Sequence, residues 1–133
     1  MGKLLERLRD ASRSGVYRVS RDAELLDALR DGVKKIPLRG IATKSALLDR
    51  MAQVLHFPEW FGGNWDALED CLTQAHGYLL FHDYQEIAAD DLGVLLDVLA
   101  SSAEFWAEQG KPFFAIFVDP QRGLDLDDLF REA

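Results

Sequence analysis

The 133-residue sequence has one cysteine, Cys71. An internal disulfide and any zinc site needing two or more thiolates are therefore excluded, and a reducing cytoplasm is the expected setting. No apolar run approaches the ~20 residues that a bilayer-spanning helix needs. No apolar segment with a small-residue cleavage site follows a basic start, so no secretory signal is expected. Positive charge is scarce over half the chain. Between Arg50 and Lys111 there is no Lys or Arg, against 11 carboxylates.

The chain is 48% hydrophobic and 29% charged, which is globular composition in the size range of one domain. Its net charge of −8 is unevenly spread: residues 1–50 carry 12 basic and 7 acidic side chains, and residues 51–133 carry 3 and 16. Such a field repels phosphate backbones, so direct nucleic-acid binding is not expected of the acidic half. It attracts a basic partner. A plain solubilising surface is the alternative.

Local patterning alternates helices with strands. A short helix is expected over 3–11, a strand over 15–19, and a helix over 21–31 capped by Ser20. The run 33–38 reads as a strand that Pro37 either confines to an edge or brings to an end. Leu47, Leu48, Met51, Val54 and Leu55 recur at helical spacing and define a helix over 44–55, with Thr43 or Ser45 as cap. Pro58, Gly62 and Gly63 break the chain, and Asn64 caps a further helix over 65–76. The apolar runs 78–82 and 113–118 read as buried strands. Between them Asp90 or Asp91 starts a long helix ending near Gln109. The segment 123–130 is expected to add a helical turn that docks through Leu126, Leu129 and Phe130. The alternation predicts an α/β fold on a parallel sheet.

Stepping about 100° per residue from Trp65 places Leu68, Cys71, Leu72 and Ala75 on one side of the 65–76 helix. Asp66, Glu69, Asp70 and Thr73 fall on the other. Asp66 and Asp70 form an i,i+4 pair of like charge that disfavours the helix by a few tenths of a kcal/mol. No basic residue within the helix offsets it. The patch is then either a solvated face or a surface kept for a cationic partner. Trp60 and Phe61 precede it, and aromatic rings beside an acidic face suit a recognition hot spot; Phe61 is assigned to the core and Trp60 to neither side.

Enzymatic readings lack the residues they need. His82 and Asp83 suggest a metal-dependent hydrolase, but no further ligands stand at matching spacing. Cys71 is on the buried stripe, away from reactive thiolate chemistry. Asp66 and Asp70 on one exposed face have neither the burial nor the cleft that separates an acid from a base. Gly62-Gly63 lacks the flanking pattern of a phosphate loop. No cofactor and no metal are implied.

The run from Pro58 through Glu59, Trp60, Phe61, Gly62, Asn64, Asp66, Ala67, Leu68, Asp70 and Cys71 to Leu72 resembles the signature of the barstar family, intracellular inhibitors of barnase-type ribonucleases. The resemblance covers 33–118 and implies a small three-stranded parallel sheet flanked by helices. Residues 1–32 would be an N-terminal extension, with room for one extra strand and helix, and 119–133 a tail of the same single domain. It implies that Asp66 and Asp70 stand in for RNA phosphates in the ribonuclease site. Trp60 would lie against the catalytic centre, and Gly62, Gly63 and Asn64 would shape the loop. Ala67, Glu69 and Thr73, with Glu104 on the long helix, complete the expected contact surface. The sequence departs from the family where Glu69 and Ala75 replace aromatics, and a family acid falls at Glu104 or Phe105. The function implied is a non-enzymatic, cytoplasmic inhibitor, a monomer forming a 1:1 complex with a basic ribonuclease, without membrane contact. The alternative is an adaptor or immunity-type protein of the same fold that binds a different basic protein or toxin.

Overall fold

A computed structural model describes residues 2–130; Met1 and 131–133, at the outer ends of the expected extension and tail, lie outside the described residues. The elements run α1 (Gly2–Arg9), β1 (Gly15–Val19), α2 (Ala23–Leu29), β2 (Val33–Pro37), α3 (Lys44–Leu55), α4 (Trp65–Leu72), β3 (Gly77–His82), α5 (Ala89–Glu108), β4 (Phe113–Val118) and β5 (Asp127–Asp128). All pairings are parallel, in the order β2-β3-β4-β1-β5. The α/β class and parallel sheet are as expected, but the sheet has five strands where three were expected with room for a fourth.

The central strand β4 is apolar throughout because both of its faces are covered. Phe113, Ala115 and Phe117 join a core with residues of α3, α4 and α5. Phe114 and Ile116 point the other way, into a second core with Leu8 of α1 and Leu25 of α2. Residues 2–32 thus add β1 to the sheet and cover the face opposite α4. They leave the acidic helix open. Strand β2 forms the edge and also ends at Pro37, with Lys34 and Lys35 exposed along it.

A transverse row crosses the sheet from Ile36 through Phe81, Phe117 and Arg18 to Asp128. Phe81 and Phe117 stack with centroids 4.5 Å apart. Arg18 continues this row as a buried cation. Its guanidinium donates to the Asp128 carboxylate, to the Asp119 carbonyl, and to Ser20 Oγ at 3.1 Å. The Asp119 carboxylate lies 3.6 Å from Arg18 Nε and accepts from Tyr84 Oη (2.6 Å) and from the Gly123 and Leu124 amides (2.9 Å each). Burial pushes the Asp119 carboxyl up, but those hydrogen bonds and Arg18 outweigh it and hold it below its usual range. Tyr84 is raised to about 12 by burial, then by its bond to Asp119 and that residue's charge. Gly123 is required by close approach, since a Cβ there would stand 2.6 Å from Tyr84 Oη.

Four local expectations are corrected. The 123–130 segment forms β5 in place of a helical turn. The Leu129 amide donates to the Arg18 carbonyl at 3.0 Å while Arg18 grips Asp128, and these contacts draw the tail alongside β1. Leu126, Leu129 and Phe130 do dock, Leu126 on the first core and the other two on the second. Helix α4 stops at Leu72, so Ala75 is exposed and not part of the buried stripe. Helix α2 has Asp22 as its N-cap in place of Ser20, without a side-chain capping bond. The Asp22 carboxylate is 2.7 Å from His82 Nε2 instead. The N-cap of α5 is Ala88, with Asp90 and Asp91 inside the first turn, where the helix dipole favours them.

Candidate interaction surface

The surface begins where α3 ends. His56 takes a left-handed conformation (φ 56°) as its C-cap and turns the chain outward. The Phe61 amide donates to the Pro58 carbonyl at 3.0 Å, closing a turn. Phe61 packs against the core and Phe57, with centroids 5.0 Å apart. Trp60 is left outside, 58% exposed, the most exposed large apolar residue among those described. Gly63 then takes φ +68°, which glycine adopts without strain. It delivers Asn64 in an extended conformation, and Asn64 Oδ1 accepts from the Ala67 amide at 2.8 Å, capping α4.

Leu68, Cys71 and Leu72 are buried as the helical phase requires. Asp66 and Asp70 are exposed, and among the described residues neither forms an ion pair or hydrogen bond through its carboxylate. Asp66 sits in the first turn, favoured by the helix dipole. Asp70 lies in the last turn, where the dipole opposes it. Burial pushes the Cys71 thiol up, and the charge of Asp70 pushes it the same way. Gly62, Gly63 and Asn64 are exposed beside Trp60, and Ala67 is half-buried.

Glu69 differs from the two aspartates. It is half-buried, and its carboxylate accepts from Ser101 Oγ of α5 at 3.1 Å. Trp106, also on α5, donates from Nε1 to the Leu72 carbonyl at 2.9 Å. The two contacts advance together along both helices, so α4 and α5 run side by side in the same direction. Glu104 is exposed one turn beyond Ser101, and Phe105 beside it is 39% exposed. The structure therefore brings Trp60, Gly62, Gly63, Asn64, Asp66 and Asp70 onto a continuous turn and helix. Glu69 serves as a strut between α4 and α5. Thr73 folds back on its own helix, its hydroxyl donating to the Glu69 and Asp70 carbonyls at 3.1 Å each. Ser101 and Trp106 position α4, a role that the sequence does not reveal. No local period reports which helix lies against which.

Asp83, the expected partner of His82 in a hydrolase, faces Arg39 at 3.9 Å, while His82 is held by Asp22. Among the described residues no cluster of three or more His, Cys, Asp or Glu side chains is arranged to hold a metal. No helix among them is long and apolar enough to cross a membrane.

A family model described as "Barstar (barnase inhibitor)" matches residues 32–118, about two thirds of the chain and all of β2 through β4. No curated protein matches the chain significantly.

Proposed function

The chain belongs to the barstar family, and from that membership we propose that it is a protein inhibitor that blocks the active site of a barnase-type ribonuclease with the acidic face of α4. One observation carries this reading: Asp66 and Asp70 stand exposed and uncompensated on one helix face, next to an exposed Trp60. A ribonuclease cleft is lined with cationic groups that hold phosphate. Two carboxylates one helical turn apart can occupy neighbouring phosphate positions, and the indole can fill the adjoining base or catalytic pocket. The net charge of −8 steers the chain toward such a cleft before contact. A solubilising surface would account for the carboxylates but not for an exposed tryptophan beside them. The role is non-enzymatic, exercised in the cytoplasm as a 1:1 complex.

The test is titration of the chain into a barnase-type ribonuclease during RNA cleavage. Stoichiometric loss of activity is expected, and the Asp66→Ala/Asp70→Ala variant should fold normally but no longer inhibit. Equal inhibition by that variant would remove the acidic face from the mechanism. A second reading is favoured by two positions, Glu69 and Ala75. Glu69 is drawn toward Ser101 and Ala75 is small and exposed, so the chain offers less aromatic surface than the family pattern. In that reading the same face binds a different basic protein or toxin, and the ribonuclease is unaffected by the wild-type chain.

A further inference from the structure

We propose that the cavity behind α4 binds a small amphipathic anion, an aromatic or branched aliphatic carboxylate. The inference is independent of the ribonuclease reading. The cavity has a volume of about 350 Å³, within the ~300–1,000 Å³ in which proteins hold small organic ligands. It lies at the amino ends of β2, β3 and β4, where α3 and α4 both terminate. Leu79 and Phe113 line the sheet side, Leu55 and Phe57 the end of α3, and Cys71 and Leu72 the inner side of α4. These give an apolar body something to bury against.

Its charge sets the ligand class. In a chain with 23 acidic residues, none of the described residues lining this cavity is Asp or Glu. Lys34 is on its rim, exposed and without an ion pair among the described residues. The C-terminal ends of two helices would by themselves favour a cation. At α4 the last four carbonyls are already engaged, those of Glu69, Asp70 and Cys71 by Thr73 and Gln74 and that of Leu72 by the Trp106 indole; at α3 the Ala52 carbonyl is engaged by the His56 and Phe57 amides. Among the described lining residues Lys34 carries the one permanent charge, and a carboxylate at the rim answers its ammonium. A larger cavity of about 750 Å³ beside β1 shows the contrast. There Arg18, Arg21 and Arg122 face Glu24, Asp27 and Asp128, so its charges cancel.

Phenylacetate is a suitable probe, titrated into the full ¹⁵N-labelled chain and followed by amide chemical shifts. Saturable shifts are expected at residues 55–58 and 71–79, the walls of the cavity. Lys34→Gln should weaken phenylacetate binding about three- to fivefold, the scale of a partly solvated charge pair. Phenylacetamide, the neutral isostere, should bind the wild type no better than phenylacetate binds the variant, and phenethylammonium should be weakest. Lys34 is exposed, so the variant keeps its fold and its spectrum verifies this. The proposal fails if no saturable shifts appear at those walls, if the amide binds as tightly as the acid, or if Lys34→Gln changes nothing.

Discussion

Replacing Asp119 with alanine should destabilise the protein by about 3–5 kcal/mol, the usual cost of breaking a buried ion pair from one side. Asp119 is fully buried, and its carboxylate has four neighbours: Tyr84 Oη, the Gly123 and Leu124 amides, and Arg18 Nε. The two amides lie in a surface loop and can turn to water. Tyr84 and Arg18, 6% and 2% exposed, cannot, and each is left without a partner it now has. Arg18 retains Asp128 and Ser20, which keeps the loss from growing further. Against a total stability of ~5–15 kcal/mol, the melting temperature should fall by about 10–20 °C. Urea unfolding followed by circular dichroism measures it. The double variant Arg18→Met/Asp119→Leu should lose less than the sum of its single changes, because it leaves no unpaired charge. Protonation should act like the substitution. The folded-state Asp119 carboxyl lies below its ordinary range, so in that window the unfolded chain binds more protons. Its stabilisation is therefore complete above about pH 5 and is lost as pH falls through the depressed value. A loss below 1 kcal/mol for Asp119→Ala would refute the account of Arg18 as a paired buried charge.

At the alkaline end, Tyr84 is raised to about 12, so the folded state holds its proton more tightly than the unfolded chain. About 2–3 kcal/mol of stability should disappear between roughly pH 10 and 12, and Tyr84→Phe should flatten that part of the profile. Cys71 is 6% exposed and its thiol is raised, so a thiol reagent should label it far more slowly in the native state than in urea. Cys71→Ala should lose about 1 kcal/mol, and rapid native labelling would contradict the helical phase of α4. Trp60→Ala should change stability by under about 0.5 kcal/mol while speeding dissociation from the proposed ribonuclease partner. The wild-type association rate should drop with salt as the Debye length shrinks from ~10 Å at 0.1 M to ~3 Å at 1 M. Stopped-flow traces at two salt concentrations read both effects; a salt-independent association rate would remove steering from the mechanism.

Whatever depends on near neighbours along the chain is legible in the sequence alone. The apolar spacing of Leu47, Leu48 and Met51 specified α3 and its buried stripe. Asn64 after Gly63 specified the cap of α4, and the positions of Leu68, Cys71 and Leu72 placed Asp66 and Asp70 on the open side. Pro37 required β2 to be an edge or to end there, and β2 does both. These follow from the chain's own geometry, 3.6 residues per helical turn and alternation along a strand. The rest depends on contacts between segments far apart in the chain. Nothing within 123–130 shows that a residue over a hundred positions earlier, Arg18, will hold Asp128 and make a strand where a helical turn was expected. Nothing within 65–76 shows that the helix will stop at Leu72, whose carbonyl Trp106 takes from α5, and leave Ala75 in solvent. Glu69 has the helical phase of an exposed acid, yet Ser101 converts it into a strut. Nothing within β1 shows that Arg18 will be buried; Asp119 and Asp128 close over it from the tail. A buried charge or a helix end is fixed by partners distant in sequence, and no local period encodes their approach.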